Sequence, residues 1–175
     1  MTTIANNRSV AWTAKTVALA GILLGTVFGF ATPDVRAADL HDELNADNRL
    51  SLFANAVERS GMADILKGEG PYILLVPSNR SMVMEGSAFL LNGLLLTPSN
   101  AERLKELVSH HILEATAPTD SADVITLQRT SLNIAVMGDA RVIDGRAVVT
   151  ERKVLDNGVL YVIDRLLMPE YQRNF

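Results

Sequence analysis

Gly70-Pro71-Tyr72-Ile73-Leu74-Leu75-Val76-Pro77-Ser78-Asn79 is the stretch that decides the fold. Five consecutive large apolar side chains, Tyr72 to Val76, stand between a Gly-Pro entry and a Pro-Ser-Asn exit. A short apolar run without alternation, stopped by proline, predicts a strand buried on both faces. Pro77 has no N–H to donate, so the ladder ends there. Ser78 is placed to cap a short helix beginning at Asn79. Such a strand needs cover on each face, and the two flanking regions differ in kind.

Upstream, Leu50, Phe53, Ala54 and Val57 recur at helical spacing. Asp47 or Asn48 can cap this helix, and Gly61 suits the residue that closes it. Met62, Ile65 and Leu66 form a shorter helical turn ended by Gly68. Downstream, Ser99 and Glu102 have the spacing of a capping box. Leu104, Leu107, Val108, His111 and Ile112 then make one helical stripe, with His110 on its flank. After Pro118 the period changes. Ser121-Ala122-Asp123 is turn-like, and Leu132 to Met137 alternates. Val142-Ile143 leads into Asp144-Gly145, a hairpin signal. Ala147 to Val149 is another strand, and Val154-Leu155 precedes a second turn at Asp156-Asn157-Gly158. Val159 to Ile163 is again wholly apolar. Helices first and a meander after predict an α+β domain with a C-terminal β-meander.

The ends of the chain read differently. Arg8 and Lys15 precede the unbroken apolar run Val17 to Phe30, and Val35-Arg36-Ala37 offers a cut before Ala38. These are the three parts of a secretory signal peptide. The run is shorter than the roughly 20 residues of a spanning helix, and an uncleaved N-terminal anchor is the alternative. The expected organisation is a signal peptide at 1–37 and a flexible mature N-terminus at 38–48. A folded domain at 49–170 and a tail at 171–175 follow. The 175-residue chain has a net charge of −4, and without residues 1–37 it has −6. An acidic exported domain suits neither nucleic acid nor anionic lipid as a partner. The chain has no cysteine, so neither disulfides nor thiolate chemistry are available.

Three blocks carry a family resemblance. The first runs from Gly70 to Met82. The second is His110-His111-Ile112-Leu113, after a Leu-rich helix. The third runs from Asn157 to Pro169. Phe53 to Val57 and Gly61 to Leu66 are similar to the opening helices of the same family. With these blocks the chain, from about Leu50 to Pro169, resembles a fasciclin (FAS1, beta-Ig-H3) domain of the secreted bacterial single-domain type. Pro77, Ser78, Asn79, His111, Asn157 and Gly158 are the matching motif residues. The resemblance implies a compact wedge of two β-sheets with short flanking helices. It also implies an extracellular or periplasmic role in adhesion, without enzymatic activity or cofactor. His110 stands where the family has an aromatic residue. Arg152-Lys153 stands where animal members carry an Asp-Ile pair implicated in integrin recognition, so that activity does not transfer.

The chemistry-bearing residues point the same way. His111 lies on a helix stripe, as a core histidine would, and a metal site needs about three or four convergent ligands. His41 lies in the acidic N-terminal stretch with Asp42 and Glu43, a solvated tail. Gly86-Ser87 lacks the G-x-S-x-G elbow of a hydrolase. No catalytic or metal set is assigned. The oddest stretch is Met82 to Leu96, which contains a single charge, Glu85. Core packing is the simpler account of it. An exposed patch for a partner is the alternative, with Met82, Met84, Phe89 and Leu90 as its contact residues. The expected function is binding of a cell-surface or matrix protein or polysaccharide. The alternative is a periplasmic carrier of a small apolar ligand.

Overall fold

A computed structural model describes residues 38–85, 93, 97–116, 118 and 120–169. The signal-peptide segment 1–37 with Ala37, the candidate contacts Phe89 and Leu90, and the tail 171–175 lie outside the described residues. No helix among the described residues is long and apolar enough to cross a membrane.

The domain is α+β. Helix α1 (Leu40–Ala46) leads through a 3-10 turn (Asn48–Leu50) into α2 (Ser51–Ser60) and α3 (Ala63–Leu66). Strand β1 (Tyr72–Pro77), α4 (Asn79–Glu85) and α5 (Ala101–His110) follow. The remainder is strand: β2 (Ile112–Leu113), β3 (Ala122–Ile125), β4 (Ser131–Met137), β5 (Ala140–Ile143), β6 (Ala147–Leu155) and β7 (Gly158–Ile163). The order across the sheet is β2-β1-β7-β6-β5-β4-β3. Among the described strands only β1 and β7 run parallel, with Tyr72 opposite Gly158 and Pro77 opposite Ile163. The first part of β6 pairs with β5 and the rest with β7, across an irregularity between Val149 and Glu151. That long strand joins the two halves of the wedge. At the ends, Leu113 bridges to Thr126 and the Leu127 N–H donates to the Ile112 carbonyl at 2.8 Å. The sheet therefore almost closes on itself.

The apolar run of β1 follows from this placement. Successive side chains alternate between faces, and both faces are covered. Leu74 and Val76 pack with Leu40, Phe53, Val57 and Val108 of the helices. Ile73 and Leu75 pack with Leu132, Ile134 and Ile143 inside the curled sheet. Strand β7 divides in the same way, with Leu160 and Val162 toward the helices and Val159, Tyr161 and Ile163 inward. Each fully buried Leu or Ile contributes about 1.5–3 kcal/mol.

Tyr161 introduces one cost. It is wholly buried, and its hydroxyl has no hydrogen-bond partner among the described residues. An unpaired buried donor costs about 1–3 kcal/mol. Tyr161→Phe is expected to raise the unfolding free energy by about 1 kcal/mol, read from urea denaturation. A loss of stability would show that the hydroxyl is satisfied.

Four sequence expectations need correction. Residues 38–48 are not a loose N-terminus, because α1 docks with Leu40 and Leu44 fully buried. His41 is accordingly not in a solvated tail, and its Nε2 lies 2.7 Å from Glu58 Oε1. Ala122 and Asp123 belong to β3, not to a turn. The capping box at Ser99 and Glu102 does not form. Residues 98–100 make a 3-10 turn, and α5 starts after Asn100 with no side-chain cap.

Candidate functional site

The family-motif residues are occupied in holding the domain together. Ser78 Oγ accepts from the Ser81 N–H at 3.1 Å, capping α4 as expected. Asn79 reaches further than its local turn. Its Oδ1 accepts from the Leu52 N–H at 2.9 Å, and its Nδ2 donates to Asn48 O and Ser51 Oγ, both at 3.0 Å. One side chain thus ties the start of α4 to the start of α2. Asn79→Ala is expected to destabilise the domain by about 1–2 kcal/mol. An unchanged melting temperature would contradict this role.

Asn157 makes a larger clamp. Its Oδ1 accepts from the Leu40 N–H at 2.9 Å. Its Nδ2 donates to Leu66 O at 2.6 Å and to Gly68 O at 2.8 Å. Its own carbonyl accepts from the Tyr72 N–H at 3.0 Å. The hairpin before β7, α1, the end of α3 and β1 therefore meet at one amide. Gly158 follows because the backbones touch here. A Cβ on Gly158 would overlap the Tyr72 carbonyl oxygen, and one on Gly70 would overlap the Asn157 carbonyl oxygen.

His111 is wholly buried. The Leu167 N–H donates to its Nε2 at 3.2 Å, so Nε2 is an acceptor and the ring proton sits on Nδ1. Nδ1 then donates to Leu107 O at 2.8 Å. Burial pushes its pKa down to about 3. A neutral imidazole with both nitrogens engaged has no free position for a metal or a proton relay.

Lys153, one of the two cations that stand where animal members carry the Asp-Ile pair, is held in an ion network. Lys153 Nζ lies 2.6 Å from Glu43, and 3.5 Å from both Asp47 and Glu151. Arg49 bonds Asp47 at 2.6 Å and Glu151 at 2.8 Å. The Arg49 guanidinium, bonded to its carboxylate, holds Asp47 down to about 2. The same group lowers the Glu151 pKa. The network joins α1 and the 3-10 turn to β6.

Of the expected partner contacts, Met82 does not qualify. It is 1% exposed and packs in the helix-side core, because the alternate face of α4 lies on α2. Val83 and Met84, at 57% and 72% exposure, face outward at the end of α4. Asp39, His41 and Asp42 bring one ligand atom each within 4.8 Å of one another. Asp39 Oδ1 already caps α1 through the Asp42 N–H at 2.8 Å, and His41 Nε2 is held by Glu58.

A cleft of about 470 Å³ opens where the end of α5, the β5–β6 turn and the segment after β7 converge. Its lining includes His110, Asp144, Arg146, Arg165, Leu166 and Met168. His110 is nearly buried, and its Nδ1 lies 3.0 Å from Thr130 Oγ1. The turn is of the mirror type, with φ of 50° at Asp144 and 63° at Gly145. Sequence reasoning took Asp144-Gly145-Arg146 as a turn only. The hairpin signal located it, but no spacing rule brings it beside residues 110 and 165.

A wedge of two sheets sharing a long strand, flanked by short helices and pinned by Asn79, His111 and Asn157, defines a fasciclin-type interaction domain. The chain belongs to the fasciclin family: residues 48–169 match the fasciclin domain model. It is 37% identical over 120 residues to the pig transforming growth factor-beta-induced protein ig-h3, covering 66% of this chain and 17% of that protein. The chain thus spans a small part of that relative. It is 27% identical over 132 residues to protein sll1483 of Synechocystis sp., covering 73% of this chain and 72% of that one. A FAS1 domain pair from the insect cell adhesion molecule fasciclin I superposes with a TM-score of 0.61 at 17% identity. The match covers 78% of this chain and 53% of that one, and it shows the shared fold. Fasciclin domains are in general adhesion-type interaction modules.

Proposed function

We propose that the protein is an exported, non-catalytic fasciclin module that binds a cell-surface or matrix protein or polysaccharide. One observation carries this reading. The polar motif residues Ser78, Asn79, His111 and Asn157 are all engaged in hydrogen bonds within the fold. They shape the domain, and contact with a partner is left to its surface. The signal-like segment at 1–37 and the acidic charge support a site of action outside the cytoplasm. The charged lining of the cleft suits a polar partner better than a small apolar cargo.

A surface coated with the full-length protein is expected to retain cells or matrix material. A coat of an unrelated acidic protein is expected not to. Native mass spectrometry is expected to find the protein without a co-purifying small molecule. A coat that retains nothing, with an apolar molecule found by mass spectrometry, would overturn adhesion in favour of ligand carriage. Loss of retention in a folded Met84→Glu variant would place the contact at the end of α4.

A further inference from the structure

We propose that the cleft between α5, the β5–β6 turn and the segment after β7 binds an acidic sugar, a uronic acid residue within a polysaccharide. This deepens the polysaccharide branch of the function proposed above and rests on it. The first argument is charge. Arg146 and Arg165 line a cleft whose described lining residues include one carboxylate, Asp144. Around it lies a chain with a net charge of −4. A cationic cleft on an acidic protein is a local point of attraction for an anionic group.

The second argument is availability. Arg49 and Lys153 are held in an internal ion network. Arg146 and Asp144 take part in no ion pair among the described residues, and no side-chain hydrogen bond engages either. A guanidinium presents paired donors in the plane of a carboxylate. The Asp144 carboxylate accepts from hydroxyls. An anion carrying several hydroxyls matches this pair, whereas an acidic peptide side chain offers Asp144 no hydroxyl to accept from.

The third argument is rigidity. The mirror-type turn fixes both flanks, with the Arg146 N–H donating to Ile143 O at 3.0 Å and the Asp144 N–H to Asn133 O at 2.7 Å. Below them, the Leu167 N–H is held by His111. His110 is anchored at Thr130. Leu166 and Met168 add apolar residues to the lining, which suit the C–H face of a pyranose. A cleft of about 470 Å³ lies within the usual size of small-ligand sites, about 300–1,000 Å³. A lining held in place by neighbouring elements needs little reordering on binding.

The test is titration of the full-length protein with hexagalacturonate, maltohexaose and hexaglutamate, followed by calorimetry and by amide chemical shifts. Saturable binding of hexagalacturonate is expected, with neither of the others bound comparably. Shifts are expected at Asp144 to Arg146 and at Arg165 to Met168. Arg146→Ala removes an exposed side chain, so the fold is retained. It is expected to weaken uronate binding by about tenfold, as loss of one charge-assisted contact does. Absence of saturable uronate binding would overturn the proposal. So would equal binding of hexaglutamate, or affinity unchanged in Arg146→Ala with shifts elsewhere. If these results arise while the coated surface still retains cells, the adhesion reading stands and the acidic-sugar site falls.

Discussion

Asn157→Asp is expected to lower the unfolding free energy by about 3 kcal/mol or more, although the two side chains have almost the same shape. The amide donates to Leu66 O and Gly68 O, and a carboxylate would place negative charge against both carbonyls. It cannot escape to water, because Asn157 is buried. A protonated carboxyl could restore one of the two donors, so the variant's deficit should shrink as pH falls toward the carboxyl's raised pKa. Denaturant titrations at two pH values check both parts. A variant as stable as wild type at neutral pH would show that the amide is not the clamp. An aspartate oxygen can still accept from the Leu40 N–H, so faster hydrogen exchange is expected at the end of α3 and the Gly68 turn rather than across α1.

The second large effect is acid destabilisation through His111. Its pKa is about 3 in the folded protein against about 6.5 when free. Between those values the unfolded chain binds a proton that the folded one does not. Stability from this group is therefore full above pH 6.5 and is lost as pH falls toward 3. The slope is about 1.4 kcal/mol per pH unit, and the window amounts to about 4–5 kcal/mol. Asp47 adds a loss at lower pH, since its folded pKa of about 2 lies below the ordinary 3.8. Replacing the imidazole in His111→Gln is expected to reduce stability at neutral pH and to flatten the slope between pH 6 and 4. A wild-type protein whose stability does not change over that range would contradict the buried neutral imidazole.

Much of the fold could be read from particular residues. Strands β1 and β7 announce themselves because both of their faces are covered, so every position is apolar. Helix α2 shows its stripe, and Gly61, with φ of 71°, closes it as expected. Helix α1 was not legible. It presents only Leu40 and Leu44 to the core, and its position depends on an asparagine 117 residues away. Strand β6 was split into two pieces, since Glu151 and Lys153 interrupt its apolar pattern. Those charges face partners supplied by α1 and the 3-10 turn. The site was less legible still. Met82 and Met84 differ by two positions on one helix, which is enough to send one inward and the other to solvent. The cleft draws on residues near 110, 145 and 166, and no local pattern announces such a meeting.

The contact between the two ends of the sheet has a consequence for how the chain meets copies of itself. A strand at an open border is a template on which another chain can grow, and proteins without covalent staples are vulnerable there. Here β2 has only two residues, and the Leu113–Thr126 bridge links it to the strand at the opposite border. The bond from Leu127 to Ile112 extends that seam. Main-chain groups of Ile112, Leu113, Thr126 and Leu127 are engaged across the seam, which narrows the border left to recruit a neighbour. Resistance to self-templated fibre growth is thus built into the topology of a chain that has no cysteine to lock it.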